Sequence, residues 1–278
     1  MIVKKNSDQL KLKNMKKLVL FPIVIAMMFL SKTLVAQDGE NNFKNFRFGL
    51  IGQPSIAWYK PDNTELMESK GSKLKFAYGL VTDFRLNKVA CFSTGIEAHY
   101  SGGELGILKD TVIYSYNDDK DTFMLTTRNY RVSYITIPIT LKMKSSEIGV
   151  FTYFGQFGVD LSIKTKARSI TDNGYIWKCP YSLPFTSSEP KKNLDITNDM
   201  SLFNIGLNIG AGLEYNLEGT TSILVSVNYH NGFTNVLHST SDEFKKATYN
   251  SATQKYIYSD YKQNAISNYV SFSLGILF

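Results

Sequence analysis

The chain has 278 residues, enough for one large domain or two small ones, and its formal net charge is +7. It is rich in aromatic residues, with 17 Tyr and 18 Phe, yet its mean hydropathy is only −0.16. No uninterrupted run of about 18 apolar residues occurs, so the sequence excludes a helical membrane span.

The first element along the chain is a targeting segment. Two lysines precede an apolar run over residues 18–30, and a less apolar stretch follows to Ala36. This order is typical of a secretory signal peptide, and the run is too short to cross a bilayer as a helix. We predict a cleavable signal peptide over 1–36, with Met15 as an alternative start, and a mature domain over 37–278.

Most of the positive charge belongs to this segment. Residues 1–36 hold seven lysines and one aspartate, a net charge of +6, which leaves about +1 for the mature domain. A basic stripe is the electrostatic requirement for binding nucleic acid. The mature domain lacks one, so we expect no nucleic-acid partner.

Eight segments of the mature domain alternate strictly between apolar and polar or small residues. In the sixth, for example, Phe203, Ile205, Leu207 and Ile209 alternate with asparagine and glycine. A two-residue period places successive side chains on opposite faces of a β-strand. The predicted strands lie within residues 46–60, 73–86, 91–101, 130–142, 150–163, 202–217, 222–233 and 268–278.

The composition of the less apolar face indicates the environment of these strands. It carries mainly Gly, Ser, Asn and Thr with scattered charges, while the other face is aliphatic and aromatic. Small polar residues suit a narrow, crowded interior, and an apolar outer face suits lipid. This alternation is the pattern of a β-barrel in an outer membrane.

The connections between the strands support the same fold. Those at 87–88, 144–147 and 218–220 are short, whereas the intervening ones are long and polar. Outer-membrane barrels alternate short periplasmic turns with longer extracellular loops. We therefore predict an all-β fold: an eight-stranded antiparallel up-and-down transmembrane barrel, with both termini periplasmic and the protein in the bacterial outer membrane.

The fourth segment departs from simple alternation. Tyr130, Val132 and Tyr134 form one apolar register and Ile135, with the residues that follow, forms the other. Proline is tolerated at bulges and strand edges rather than within a central ladder. A bulge near Pro138 could therefore switch the phase of this strand.

Several of these segments also carry a family resemblance. The signal ending "VAQ", the stretch "RFGLIGQPSIAWY", the segment "YRVSYITIPITLKM" and the terminal Phe278 resemble the PorT-type outer-membrane β-barrel family of Bacteroidetes. The resemblance spans essentially the whole mature domain. It implies a small barrel, and it implies no activity for most members, although one branch is implicated in secretion across the outer membrane.

Charged residues of both signs fall on the face predicted to point inward. An eight-stranded barrel has an interior that side chains can fill. We therefore expect a lumen plugged by ion pairs and hydrogen bonds, with a narrow pore as the alternative. The predicted network comprises Arg47, Lys73, Lys75, Asp83, Arg85, Glu97, Asp160 and Glu214.

One motif on the third strand has the residue types of a catalytic site. Glu97, His99 and Ser101 lie two residues apart on the inward face. A base-activated hydroxyl with an acidic partner is a reasonable nucleophile, so a lipid-modifying enzyme is an alternative function. Residues two apart in a strand are about 6.5–7 Å apart, however, which does not ensure a hydrogen bond. We favour a protein that is not an enzyme, and we expect no cofactor and no metal.

The remaining predictions concern partners. The long loops suit a structural, adhesion or envelope and secretion-support role through an envelope or extracellular partner. The last loop, with its tyrosines, could equally form a hairpin above the membrane. The resemblance to outer-membrane proteins implies that the last strand, ending at Phe278, is recognised by the barrel-insertion machinery, and outer-membrane lipid surrounds the apolar face.

Overall fold

The fold is all-β and antiparallel, as predicted. The computed structural model describes residues 46–108, 112–115, 122–177, 186–187, 190–217, 221–253 and 255–278, so the predicted signal peptide lies outside the described residues. Within these ranges no helix is long and apolar enough to cross a membrane. The strands are β1 (Phe46–Pro61), β2 (Met67–Gly71), β3 (Lys73–Arg85), β4 (Ala90–Ser101), β5 (Glu104–Ile107), β6 (Val112–Ser115), β7 (Thr122–Lys144), β8 (Phe151–Trp177), β9 (Thr186–Ser187), β10 (Lys191–Asp195), β11 (Phe203–Asn216), β12 (Ser222–Gly232), β13 (Thr240–Asn250), β14 (Lys255–Lys262) and β15 (Ala265–Leu277).

Eight long strands pair in a ring. The order is β1–β3–β4–β7–β8–β11–β12–β15, and β15 pairs again with β1. These are the eight strands that the sequence predicts. A ring of antiparallel pairs leaves no open edge, which is what a sheet surrounded by lipid requires. We call the rim with the three short connections the turn end, and the opposite rim the loop end.

The outer face of the ring is apolar and its inner face is polar, which is the reverse of a soluble β-sandwich. On β15, Leu274 and Phe272 are 62% and 52% exposed, whereas Ser273 and Ser271 are 3% and 1% exposed. The same alternation of exposed apolar and buried polar side chains continues around the other seven strands. Exposed aliphatic and aromatic side chains would be costly in water but are stable in lipid.

The same set of alternate residues of β7 faces the lumen along the stretch where the sequence allowed a change of phase. The even-numbered side chains Tyr130, Val132, Tyr134, Thr136 and Thr140 are all buried. The interior face therefore passes from apolar residues near the loop end to polar residues within the barrel. Pro138 pairs in regular register with Asp160, so the predicted bulge near Pro138 is wrong. The irregularity lies higher, where β8 inserts Thr165.

The long connections contain more regular structure than the sequence predicts. Strands β7 and β8 continue well beyond the predicted segments, and β2, β5, β6, β9, β10, β13 and β14 add to them at the loop end. Together these parts form a β-structured unit that we call the cap. The last connection is a hairpin, β13–β14, and β13 pairs with β6.

Candidate functional site

The turn end of the lumen is filled by a cluster of five charged side chains. Arg47 Nη2 lies 2.6 Å from Glu214 Oε2, and Lys144 Nζ lies 2.6 Å from Glu214 Oε1. Lys142 Nζ donates to both carboxylate oxygens of Asp83, at 2.9 and 3.1 Å. Three cations thus share two carboxylates, because Arg47 and Lys144 also lie 3.6 Å from Asp83.

Two of these five residues were absent from the predicted network. Lys142 and Lys144 close an apolar stretch, "ITIPITLKMK", and the inward phase of that stretch was ambiguous in the sequence. Since the even-numbered face of β7 points inward from Tyr130 to Lys144, both ammonium groups enter the lumen. The predicted members Arg47, Asp83 and Glu214 meet there.

The other predicted charges are distributed along the barrel. Arg85 donates to the carbonyls of Asn87 and Lys88 in the β3–β4 turn. At the loop end Lys73 pairs with Glu104 at 2.7 Å, and Lys75 approaches the Tyr130 carbonyl at 3.5 Å. The predicted network is therefore not one network.

An apolar layer follows the charge cluster along the lumen. Val81, Phe154, Leu224 and Leu277 are buried in contact with one another, and Ile51 packs against them. The Lys142 ammonium lies 4.9 Å from the centre of the Phe154 ring, which joins the two layers. These apolar side chains pack against one another inside the barrel next to the charge cluster.

The motif Glu97, His99 and Ser101 does not assemble into one site. Glu97 accepts a hydrogen bond from Gln53 Nε2 at 2.8 Å, and Ser101 Oγ is hydrogen-bonded to Ser267 Oγ at 2.9 Å. The His99 ring packs 4.5 Å from the Tyr269 ring. Glu97 therefore turns to β1, whereas His99 and Ser101 contact two different residues of β15.

A different hydroxyl, imidazole and carboxylate do line up in the middle of the lumen. His230 Nδ1 lies 2.6 Å from Asp160 Oδ2, and His230 Nε2 lies 3.1 Å from Ser271 Oγ. Asp160 also accepts from Asn208 Nδ2 at 3.0 Å and from the Tyr269 hydroxyl at 3.3 Å. The members come from four strands, so no local motif in the sequence could have indicated them.

This relay has the bonding order of a serine hydrolase but not its surroundings. An active serine also needs donors for the oxyanion and space for a substrate. Ser271 is buried, and its backbone is paired with β1 on one side and with β12 on the other. A small cavity lies beside His99, His230 and Tyr269. The geometry suits a network that satisfies the buried Asp160 carboxylate.

An apolar cluster lies at the loop end of the barrel and forms the core of the cap. Tyr59, Tyr130 and Tyr134 are fully buried there, and the Tyr59 and Tyr130 rings lie 5.4 Å apart. The same cluster continues into the cap. Its other buried members are Met67, Leu105, Val112, Phe123, Leu125, Val132, Ala167, Ile196, Met200, Val236, Leu237, Phe244, Tyr261 and Ala265.

One buried ion pair links β7 to β8 within the cap. Arg128 Nε and Nη2 both donate to Asp172, at 2.9 and 2.6 Å, and its guanidinium lies 4.3 Å from the Phe244 ring. Burial acts to lower the pKa of Arg128, but the hydrogen bonds and charge of Asp172 outweigh it and raise this pKa above its ordinary value. Burial also raises the pKa of Glu243, whose carboxylate lies 3.3 Å from Arg128.

A ring of antiparallel strands with a lipid-suited exterior and a polar interior defines an outer-membrane β-barrel protein. Residues 35–238 match the family described as "Outer membrane protein beta-barrel domain". The chain belongs to this family, and the protein is located in the bacterial outer membrane.

Several solved barrels are similar in structure and distant in sequence. Neisserial surface protein A (NspA) is 12% identical, with a TM-score of 0.41, over 84% of this chain and 96% of that one. OprG from Pseudomonas aeruginosa is 11% identical, with a TM-score of 0.37, over 84% and 97%. The outer-membrane protease OmpT from Escherichia coli is 7% identical, with a TM-score of 0.42, over 87% and 99%. No curated protein matches the chain.

Proposed function

We propose that this protein is a non-conducting barrel that holds its cap at the cell surface as an interaction platform. The observation that carries the proposal is that packed side chains lie at both ends of the lumen. Ion-paired side chains fill the turn end, and the buried tyrosines Tyr59, Tyr130 and Tyr134 cover the loop end. The proposed orientation places the loop end outside the cell, as in other outer-membrane barrels.

The cap offers an aromatic surface for a partner. On the β13–β14 hairpin, Tyr249, Ile257 and Tyr258 are exposed, and the Tyr249 ring lies 5.2 Å from the Tyr256 ring. Tyrosine is enriched in protein interfaces because it contributes a large apolar area and a polar tip. The role we infer is adhesion or the support of an envelope or secretion complex.

The closed lumen leads to a direct electrical prediction. Refolded protein inserted in planar bilayers will show no steady conductance above that of the lipid alone, because the proposed plug blocks the passage of ions along the lumen. A porin of about sixteen strands inserted in the same way provides the positive control. Stable unitary steps from this protein would contradict the proposed plug.

The interaction role is tested on the hairpin itself. Replacing Tyr249, Ile257 and Tyr258 by Ser should abolish the crosslinked products formed by the wild-type protein on intact cells, because the substitutions remove the exposed apolar contacts. The matched control is Ser259→Ala on the same hairpin. Unchanged products in the triple variant would contradict a role for this surface.

We also infer that Phe278 promotes assembly of the barrel through its contacts where β1 pairs with β15. Its backbone N–H donates to the Phe48 carbonyl at 2.7 Å, and its ring lies 5.7 Å from the Phe48 ring. Phe278→Ala should lower the amount of assembled barrel in the outer membrane several-fold, measured by heat-modifiable gel migration. Phe76→Ala, another exposed ring, is the control, and equal amounts of assembled Phe278→Ala protein would refute the inference.

A further inference from the structure

Three basic side chains form a group on the outside of the barrel wall, towards the loop end. Arg131 lies directly opposite Arg168 in the β7–β8 ladder, and Ser133 lies opposite Lys166. The intervening pair, Val132 and Ala167, is fully buried, so the four flanking side chains point away from the lumen.

A β-bulge is what aims two of these residues outward. Below it the odd-numbered residues of β8 face lipid, as Leu161 and Ile163 do. Thr165 is then an extra residue between Lys164, which pairs with Tyr134, and Lys166. The insertion shifts the outward phase from odd to even numbers. Bulges re-aim side chains in this way.

The level of this basic group coincides with the edge of the apolar band. Lipid-facing residues of β7 run from Met143 to Ile135. At about 3.4 Å per residue and a tilt of about 40°, this stretch covers about 21 Å along the barrel axis. The apolar band of such barrels is about 25 Å tall, so Ser133 and Arg131 lie at its border. Tyr100, an exposed ring opposite Ser133, marks the same border.

The net positive charge of this site favours the binding of an external anion. Like charges directly opposite each other on a sheet destabilise it, and Arg131 faces Arg168. Asp195 of β10 lies opposite Arg168 on its other side, which leaves a local net charge of +2. Arg168 is held in place because its Nη1 donates to Asn193 Oδ1 at 2.8 Å. Guanidinium groups match the geometry of phosphate.

We propose that Arg131, Lys166 and Arg168 bind the phosphate groups of lipid headgroups in the outer leaflet of the outer membrane. The membrane border is where such headgroups lie, and basic residues at a membrane surface attract anionic lipid. The site would orient the barrel and anchor the cap close to the membrane. This inference rests on the proposed orientation of the loop end but not on the plugged lumen, so a conductance result leaves it unaffected.

The test compares lipid binding by the full barrel in detergent micelles, measured by native mass spectrometry. The probes are diphosphoryl lipid A and the same glycolipid without phosphates. Each cation near the charged groups contributes about five-fold to the affinity for the lipid. We therefore expect the wild type to bind the phosphorylated lipid at least about ten-fold more tightly than the lipid without phosphates. The triple variant R131Q/K166Q/R168Q should lose this preference.

A second set of variants separates a local site from general charge. The trio K60Q/K88Q/K262Q removes three exposed lysines elsewhere and should keep the preference within about two-fold of the wild type. The single variant R131Q, at an exposed position, should weaken binding about three- to five-fold and covers the case in which the triple variant folds poorly. Equal binding by wild type and R131Q would overturn the proposal, as would an equal loss in the control trio or complete competition by millimolar inorganic phosphate.

Discussion

Asp83→Asn will lower the free energy of unfolding of the barrel by about 3–5 kcal/mol, the cost of breaking a buried ion pair by removing one partner. In the wild type, the Asp83 carboxylate accepts from Lys142 and lies near Arg47 and Lys144. The substitution leaves three cations, of which Lys142 is fully buried, with Glu214 alone. Urea unfolding in micelles, followed by tryptophan fluorescence, measures the loss.

A double variant distinguishes charge imbalance from loss of packing. Asp83→Leu with Lys142→Met removes one carboxylate and one cation together, so the net charge of the cluster stays at +1. Replacement of a buried ion pair by apolar residues of similar volume is often neutral or stabilising. We therefore expect the double variant to unfold close to the wild type. A single variant within about 1 kcal/mol of the wild type would show that water or lipid headgroups already solvate this cluster.

The sequence predicts the strands well because alternation is a local property. Every second residue of a strand faces the same way, so the inward positions of Arg47, Asp83 and Glu214 follow from sequence alone. Which inward residues meet depends instead on the stagger of neighbouring strands around the ring. Lys73 and Arg85 share one face of β3 but stand at its two ends, so each binds residues at its own end of the barrel.

The missed residues have the same physical origin. The His230 relay joins side chains that are 70 and 41 residues apart along the chain, and the pairing of β8, β11, β12 and β15 side by side brings them together. Apart from the hairpin that the sequence left open for the last loop, the cap was missed for another reason. Its strands are short and rich in polar residues, and their apolar side chains meet only after β7 and β8 have extended beyond the membrane. Pairing with strands already in place stabilises segments that lack strand signals of their own.

Arg128→Met will loosen the cap while leaving the barrel intact. The substitution leaves the fully buried Asp172 carboxylate without its bidentate guanidinium, which costs about 3–5 kcal/mol. It also removes the contacts of this cation with Glu243 and the Phe244 ring, which attach β13 to the rest of the cap. Local opening governs the rate of proteolysis. On intact cells the β13–β14 hairpin of the variant should therefore be cleaved at least about ten-fold faster than that of the wild type.

The integrity of the barrel and that of the cap can be measured separately in the same cells. Heat-modifiable gel migration should be unchanged in Arg128→Met, because Arg128 and Asp172 lie in the extensions of β7 and β8 beyond the lipid-facing segments. The paired change Arg128→Met with Asp172→Leu removes both charges and should recover most of the protease resistance. If the single variant resists cleavage as the wild type does, the ion pair is not what holds the cap together. If gel migration is lost as well, the cap and the barrel unfold as one unit, and the cap then contributes to the stability of the transmembrane strands.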